Sequence, residues 1–263
     1  MANKAHEEIP GNPSVSTSSK QKLNDRSNGK PLQILSEEDW KFWMHNGYVV
    51  IKNAIPKAQA KATADFIWEF DEKEANDPST WYAQPRAEMK MKELAGTGMV
   101  EAYNHQTLWN NRQTQKIYDA FVDVWGTEKL WVTIDRVNLN FPQRPGEEKE
   151  GFIHWDYDPE TRPQNVQGVI ALADQMDENM GGFQCIPWLY RNYDSWKLTQ
   201  PADRDRFQPN LAALHDKIVN VVMEAGDLLI FNSTEPHGIR PNRSENKVRI
   251  AQYISMMPAE EEN

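Results

Sequence analysis

A single cysteine, Cys185, occurs in these 263 residues. That excludes an intramolecular disulfide and any cysteine-based zinc cluster. Long apolar runs are missing too, and none approaches the ~20 residues that a membrane-spanning helix needs. The opening stretch, "MANKAHEEIPGNPSVSTSSKQKLNDRSNGK", has no apolar core of a secretory signal. Cations are in the minority, with 29 Lys and Arg against 39 Asp and Glu, for a formal charge of −10. Neither a phosphate backbone nor an anionic lipid surface is attracted to such a chain, so nucleic acid and membrane are not expected as partners. The expected setting is soluble, reducing and cytoplasmic, and the expected partner is a small molecule. Oligomeric state is not legible from the sequence.

What is present is enough to build a core: 39% hydrophobic residues, including ten tryptophans. Residues 1–33 are rich in Ser, Asn, Lys and Pro and are expected to form a disordered tail, leaving 34–263 as one domain. Ser36 followed by Asp39 predicts a helix start and Gly47 its stop, after which "YVVI" (48–51) reads as a strand. A second helix is predicted over about 57–74, with Ala62, Phe66, Ile67 and Phe70 on one face, and a third over "RQTQKIYDAFVDVW". Between them, 78–110 lacks clean periodicity and reads as a long, partly helical connection. After Gly126 the pattern changes to short strands: "LWVTIDRVNLNF", "VQGVIALAD", "GGFQCIPW", "IVNVVME", "DLLIFN" and "VRIAQYISMM". Helices first and strands later, with Pro, Gly and Asp turns, predict an α+β fold with an antiparallel jelly-roll core.

The chemistry concentrates in "GFIHWDYDP", residues 151–159. Residues two apart on a strand share a face, so His154 and Asp156 would present an imidazole and a carboxylate side by side. Alone, the pair is equally well a solvated strand patch. Eighty-three residues downstream of His154, "GDLLIFNSTEPHGIRPN" places His237 between an apolar strand and a turn. Twelve residues further on, Arg249 interrupts the apolar strand "VRIAQYI". Facing inward, that arginine needs a buried carboxylate partner; facing outward, it needs only water. Two histidines and one carboxylate are the ligand set of the facial triad of non-haem Fe(II) oxygenases.

These segments together resemble the phytanoyl-CoA dioxygenase family of Fe(II)/2-oxoglutarate oxygenases. The opening "LSEEDWKFWMHNGYVVIKNAI" and the stretch "GVIALADQMDENMGGFQCIPW" add to the resemblance, which runs from residue 35 to about 257. It implies a double-stranded β-helix, cupin-like, with the N-terminal helices packed on the outer sheet. It implies iron held by His154, Asp156 and His237, with O2 and 2-oxoglutarate as co-substrates. Arg249 would take the distal carboxylate of 2-oxoglutarate, and Asn138 matches a position where relatives place an amide near it. Asp156 implies hydroxylation and not halogenation, because halogenating relatives have Gly or Ala there. The chain departs from the family pattern at "PWLYR", where relatives often have Pro-Gly-Ser-His, and at Phe141, where they often have lysine. Both departures bear on the substrate and on details of co-substrate binding, not on the iron site.

Other residues have plainer expected roles. Trp155 and Tyr157 alternate with the ligands and should face away from a metal. Asp158, before Pro159, reads as a turn cap, and Cys185 as a small buried residue. Arg144, Arg162, Arg240 and Arg243 read as loop residues near the mouth, most of them solvated, with one or two available to hold an anionic substrate. His6, His45, His105 and His215 have no ligand-like surroundings. The aromatic segment from Trp81 to Trp109 is the expected lid or substrate wall. Two competing readings stand beside the oxygenase: a catalytically silent jelly-roll binding protein, and a cupin-type metalloenzyme that does not use 2-oxoglutarate.

Overall fold

The structure, a computed structural model, describes residues 21–83, 97–147 and 151–259. Helix α1 (Glu37–Asn46) begins as its sequence requires. Ser36 Oγ accepts from the Asp39 N–H, and the Asp39 carboxylate accepts from the Ser36 N–H, each at 3.0 Å. Gly47 ends the helix in the left-handed region at φ 73°. The expected second and third helices are present as α2 (Lys57–Phe70) and α5 (Gln115–Trp125). Two short helices, α3 (Pro78–Trp81) and α4 (Gln106–Arg112), lie in the connection between them.

The strands form two facing sheets. The larger contains β1 (Tyr48–Ile51), β2 (Met99–Val100), β4 (Val137–Asn140), β5 (Val166–Ala171), β8 (Leu228–Asn232) and β10 (Arg249–Ile254), in the order β1-β8-β5-β10-β4-β2, all antiparallel. The smaller contains β6 (Met180–Cys185), β7 (Val219–Asn220) and β9 (His237–Asn242), in the order β7-β6-β9. A two-stranded piece, β3 (Leu130–Val132) with β11 (Met256–Pro258), completes the set. The stretch expected as one strand over 130–141 therefore splits into β3 and β4, and the last strand splits into β10 and β11. This is the double-stranded β-helix with helices on its outer sheet, an α+β fold.

Both faces of the larger sheet are buried, and its alternation assigns them. On β8, Leu228 and Ile230 join Ile67, Phe121 and Trp125 of the helices in the outer core. Leu229 and Phe231 turn the other way and meet Phe183 and Cys185 of β6 between the sheets. A third cluster is built by α6 (Pro187–Lys197), a helix the sequence reading did not anticipate. Leu189, Tyr193 and Trp196 of α6 pack against Ile153 and Trp155. Among the described residues no helix is long and apolar enough to cross a membrane.

Residues 21–33 differ from the disordered tail expected over 1–33; residues 1–20 lie outside the described residues. The Asn24 N–H donates to the Val124 carbonyl at 2.9 Å, and Trp43 Nε1 donates to Asn24 Oδ1 at 2.6 Å. The cause is Asp123, buried on α5, whose carboxylate accepts from the N–H groups of Gln33, Ile34 and Leu35 at 2.7–2.8 Å. A buried carboxylate requires such donors, and the incoming chain supplies them.

Candidate metal centre

Trp155 anchors the segment that carries the first two candidate ligands. It is 2% exposed, and its Nε1 donates to the Thr234 carbonyl at 3.0 Å. With Trp155 turned into the α6 cluster, His154 and Asp156 are left on the opposite side, facing the space between the sheets. His237 starts β9, where a loop position was expected. It joins His154 through a reciprocal backbone pair: His154 N–H to the His237 carbonyl at 2.8 Å, and His237 N–H to the His154 carbonyl at 3.0 Å. Gly238 permits this approach. A Cβ there would lie 1.8 Å from the Phe152 carbonyl oxygen, which no side chain tolerates.

The three side chains converge, and each offers a donor atom within 4.8 Å of the other two. Asp156 Oδ1 lies 3.2 Å from His154 Nε2, and Asp156 Oδ2 lies 3.5 Å from His237 Nε2. Metal–ligand bonds of about 2.1 Å at right angles would place donors about 3 Å apart, so the set fits one ion. His237 is prepared for that use. Its Nδ1 lies 3.0 Å from the Glu235 carbonyl, which can only accept, so Nδ1 carries the proton and Nε2 keeps its lone pair. Burial holds its pKa down at about 4, although Asp156 pulls the other way, so the ring is neutral at pH 7. Burial alone would raise Asp156; the His154 hydrogen bond and the nearby His237, with a Gln167 hydrogen bond, outweigh it and hold the carboxylate below its ordinary range. Gln167, on β5, donates Nε2 to Asp156 Oδ2.

Arg249 is 1% exposed at the start of β10, and it faces inward. Its Nη1 donates to Asn138 Oδ1 at 2.7 Å and its Nε to Gln175 Oε1 at 3.3 Å. Asn138 is fixed in turn by Nδ2 donating to the Thr97 carbonyl at 3.0 Å. Both partners are neutral amides, and among the described residues no carboxylate lies within ion-pairing distance of Arg249. The buried carboxylate that the sequence reading required is therefore not supplied by described protein. Asn138 orients Arg249, and Gln175 is a second orienting amide that the sequence reading missed, because it follows the strand in an irregular acidic loop.

The remaining expectations divide. Asp158 caps a short 3-10 turn, accepting from the Glu160 N–H at 2.9 Å, and Cys185 is buried on β6. Arg162 pairs on the surface with Asp194. Arg240 departs from expectation: it lies on β9 and is 4% exposed. Trp81 is not a lid residue but core, stacked on Phe141 at 5.7 Å. Residues 84–96 of the expected lid lie outside the described residues.

A jelly roll with two imidazoles and a carboxylate converging between its sheets defines a class of metal-binding β-helix proteins. A family model described as phytanoyl-CoA dioxygenase (PhyH) matches residues 43–251, and the chain belongs to that family. It is 23% identical over 246 residues to Ava biosynthesis cluster protein O of Aspergillus versicolor, covering 84% of this chain and 77% of that one. Its fold is similar to that of HygX from Streptomyces hygroscopicus, solved with nickel and 2-oxoglutarate bound. There the TM-score is 0.58 at 11% identity, covering 86% of this chain and 88% of HygX. It is also similar to SnoK, a non-haem alpha-ketoglutarate-dependent carbocyclase from nogalamycin biosynthesis. That match has a TM-score of 0.53 at 18% identity and covers 86% and 85% of the two chains.

Proposed function

We propose that the protein is an Fe(II)/2-oxoglutarate-dependent dioxygenase that oxidises a C–H bond of a small molecule, with hydroxylation as the outcome. One observation carries the reading: a His-Asp-His cluster and a buried arginine for which the described residues supply no acidic partner both lie between the two sheets. The donor set suits a divalent iron, and the arginine suits a ligand carboxylate. In this reading residues 34–263 make up one oxygenase unit.

His154, Asp156 and His237 would hold the metal on one face. Bound Fe(II) and 2-oxoglutarate would supply the oxidising chemistry, reducing O2 while 2-oxoglutarate is converted to succinate and CO2. The chain's own residues do the rest. Arg249 takes the distal carboxylate through Nη2, the nitrogen not engaged by Asn138 or Gln175. Those two amides hold the guanidinium plane against rotation, which keeps Nη2 aimed at the ligand. Phe183 and Phe231, with ring centroids 5.8 and 4.3 Å from that of His237, keep its inner side dry. Phe152 is 46% exposed, with its ring 5.2 Å from His154, and gives an entering substrate an apolar surface beside the metal. Asp156 occupies the position that a halide would need, so oxygen transfer is the expected outcome.

The test is anaerobic addition of Fe(II) and 2-oxoglutarate, read by the visible metal-to-ligand charge-transfer band. The wild type should show the band and His237→Ala should lose it. A wild type without the band, or a His237→Ala variant that retains it, refutes the reading.

A further inference from the structure

Arg240 follows His237 by three residues, and the metal centre as described makes no use of it. Its Nη1 donates to the carbonyls of Phe183 at 3.0 Å and Val221 at 3.4 Å. That clamp lays the side chain across Gly182. Its Nε and Nη2 are buried and have no hydrogen-bond partner among the described residues. Burying an arginine without its full set of acceptors is unfavourable, so this placement asks for a reason.

The neighbour across Gly182 supplies one. A Cβ at Gly182 would lie 2.8 Å from Arg240 Nη2 and 3.4 Å from Gln175 Oε1. That same oxygen accepts from Arg249 Nε. Gln175 thus stands between two buried guanidinium groups, and glycine at 182, with φ of 111°, leaves room for both. Burial pushes Arg240 down to about 10, the positive charge of Arg249 adds to the fall, and Glu178 and Asp177 oppose it. It is still charged at pH 7. Asp177 is paired with Lys247 at 2.9 Å. Glu178 borders the same outer cavity as Arg240, of about 200 Å³, without coming within ion-pairing distance of it. Two buried guanidinium groups therefore come close to Gln175, with no carboxylate within ion-pairing distance of either among the described residues.

We propose that Arg240 is a positioning residue of the co-substrate site. With Arg249 it makes the inner end of the pocket doubly cationic, so that a 2-oxo acid with a distal carboxylate is taken and one without it is rejected. The proposal rests on the reading of the metal centre and Arg249 given above. Arg249 makes the direct contact. Arg240 acts through the field and through Gln175, whose carbonyl separates the two positive groups and keeps the Arg249 fork turned toward the ligand.

The experiment uses the full chain loaded anaerobically with Fe(II), titrated separately with 2-oxoglutarate and with pyruvate, and followed by the charge-transfer band. Arg240→Met should raise the half-saturating 2-oxoglutarate concentration by about tenfold, for a unit charge several ångströms away in a partly screened pocket. Pyruvate, which lacks the distal carboxylate, should change by no more than about twofold. Arg240→Lys should restore most of the preference. A merely structural arginine would weaken both ligands together, so equal losses for the two, or no loss for either, overturn the proposal. If Arg240→Met does not fold, Arg240→Gln carries the same test, because it keeps an N–H donor for the two carbonyls. A wild type without a band refutes the metal-centre reading, whereas a band with an unchanged preference in the variants removes only Arg240.

Discussion

Glu235 should make the fold less stable as pH rises, and replacing it should remove that dependence. Its side chain is fully buried, and both carboxylate oxygens are without a hydrogen-bond partner. The Cys185 thiol and the Ile186 N–H are close enough to favour the charged form slightly, yet neither completes a hydrogen bond with it. Burial dominates and lifts the carboxyl well above the ordinary glutamate range, which favours the protonated form in the folded chain. In the unfolded chain the same group ionises near pH 4.3. Below that value both states hold the proton and the group does not affect stability. Above it only the unfolded chain releases the proton, which favours unfolding by about 1.4 kcal/mol per pH unit until the folded pKa is reached. Glu235→Gln keeps the volume and removes the titration. Urea unfolding of metal-free protein between pH 5 and 8 measures the effect. Wild-type stability should fall toward high pH more steeply than that of Glu235→Gln, by up to that slope. Parallel profiles for the two proteins would show that Glu235 is ionised inside the fold and that the reasoning about its burial is wrong.

Removing the carboxylate in Asp156→Ala leaves two imidazoles and should abolish the charge-transfer band even at high Fe(II), as read by anaerobic absorbance. Arg249→Met should raise the half-saturating 2-oxoglutarate concentration by about 100-fold, the loss of one charge-assisted contact, with Fe(II) binding itself retained. Gln167→Leu takes away the hydrogen bond that aims Asp156 and should weaken Fe(II) binding by about 10–100-fold, measured by metal titration. In Gly238→Ala the new methyl group meets the Phe152 backbone at 1.8 Å. Thermal unfolding should show a loss of about 1–3 kcal/mol, and metal titration should show that the His154–His237 pairing is disturbed.

The local chemistry of this chain was legible in its sequence. The Ser36–Asp39 cap and the Gly47 stop were readable because each is completed within a few residues. The two-residue spacing of His154 and Asp156 reads as strand alternation, but the segment is no strand: it makes a single bridge, His154 to His237, and the burial of Trp155 is what leaves the two candidate ligands on the other side. "DLLIFN" was readable as a strand, but that both its faces are covered came from the structure. What depended on distant residues was not legible. The carboxylate of Asp123 orders residues 33–35 through contacts about ninety positions away. Helix α6 forms where the sequence offered only "PWLYR", since its stability comes from packing against Ile153 and Trp155. Only the tertiary structure brought His237 beside His154 and left Arg249 with amides in place of an acid, with Arg240 laid across Gly182 toward it. Those arrangements follow from which strands become neighbours when two sheets close on one core, and sequence period alone carries no information about that.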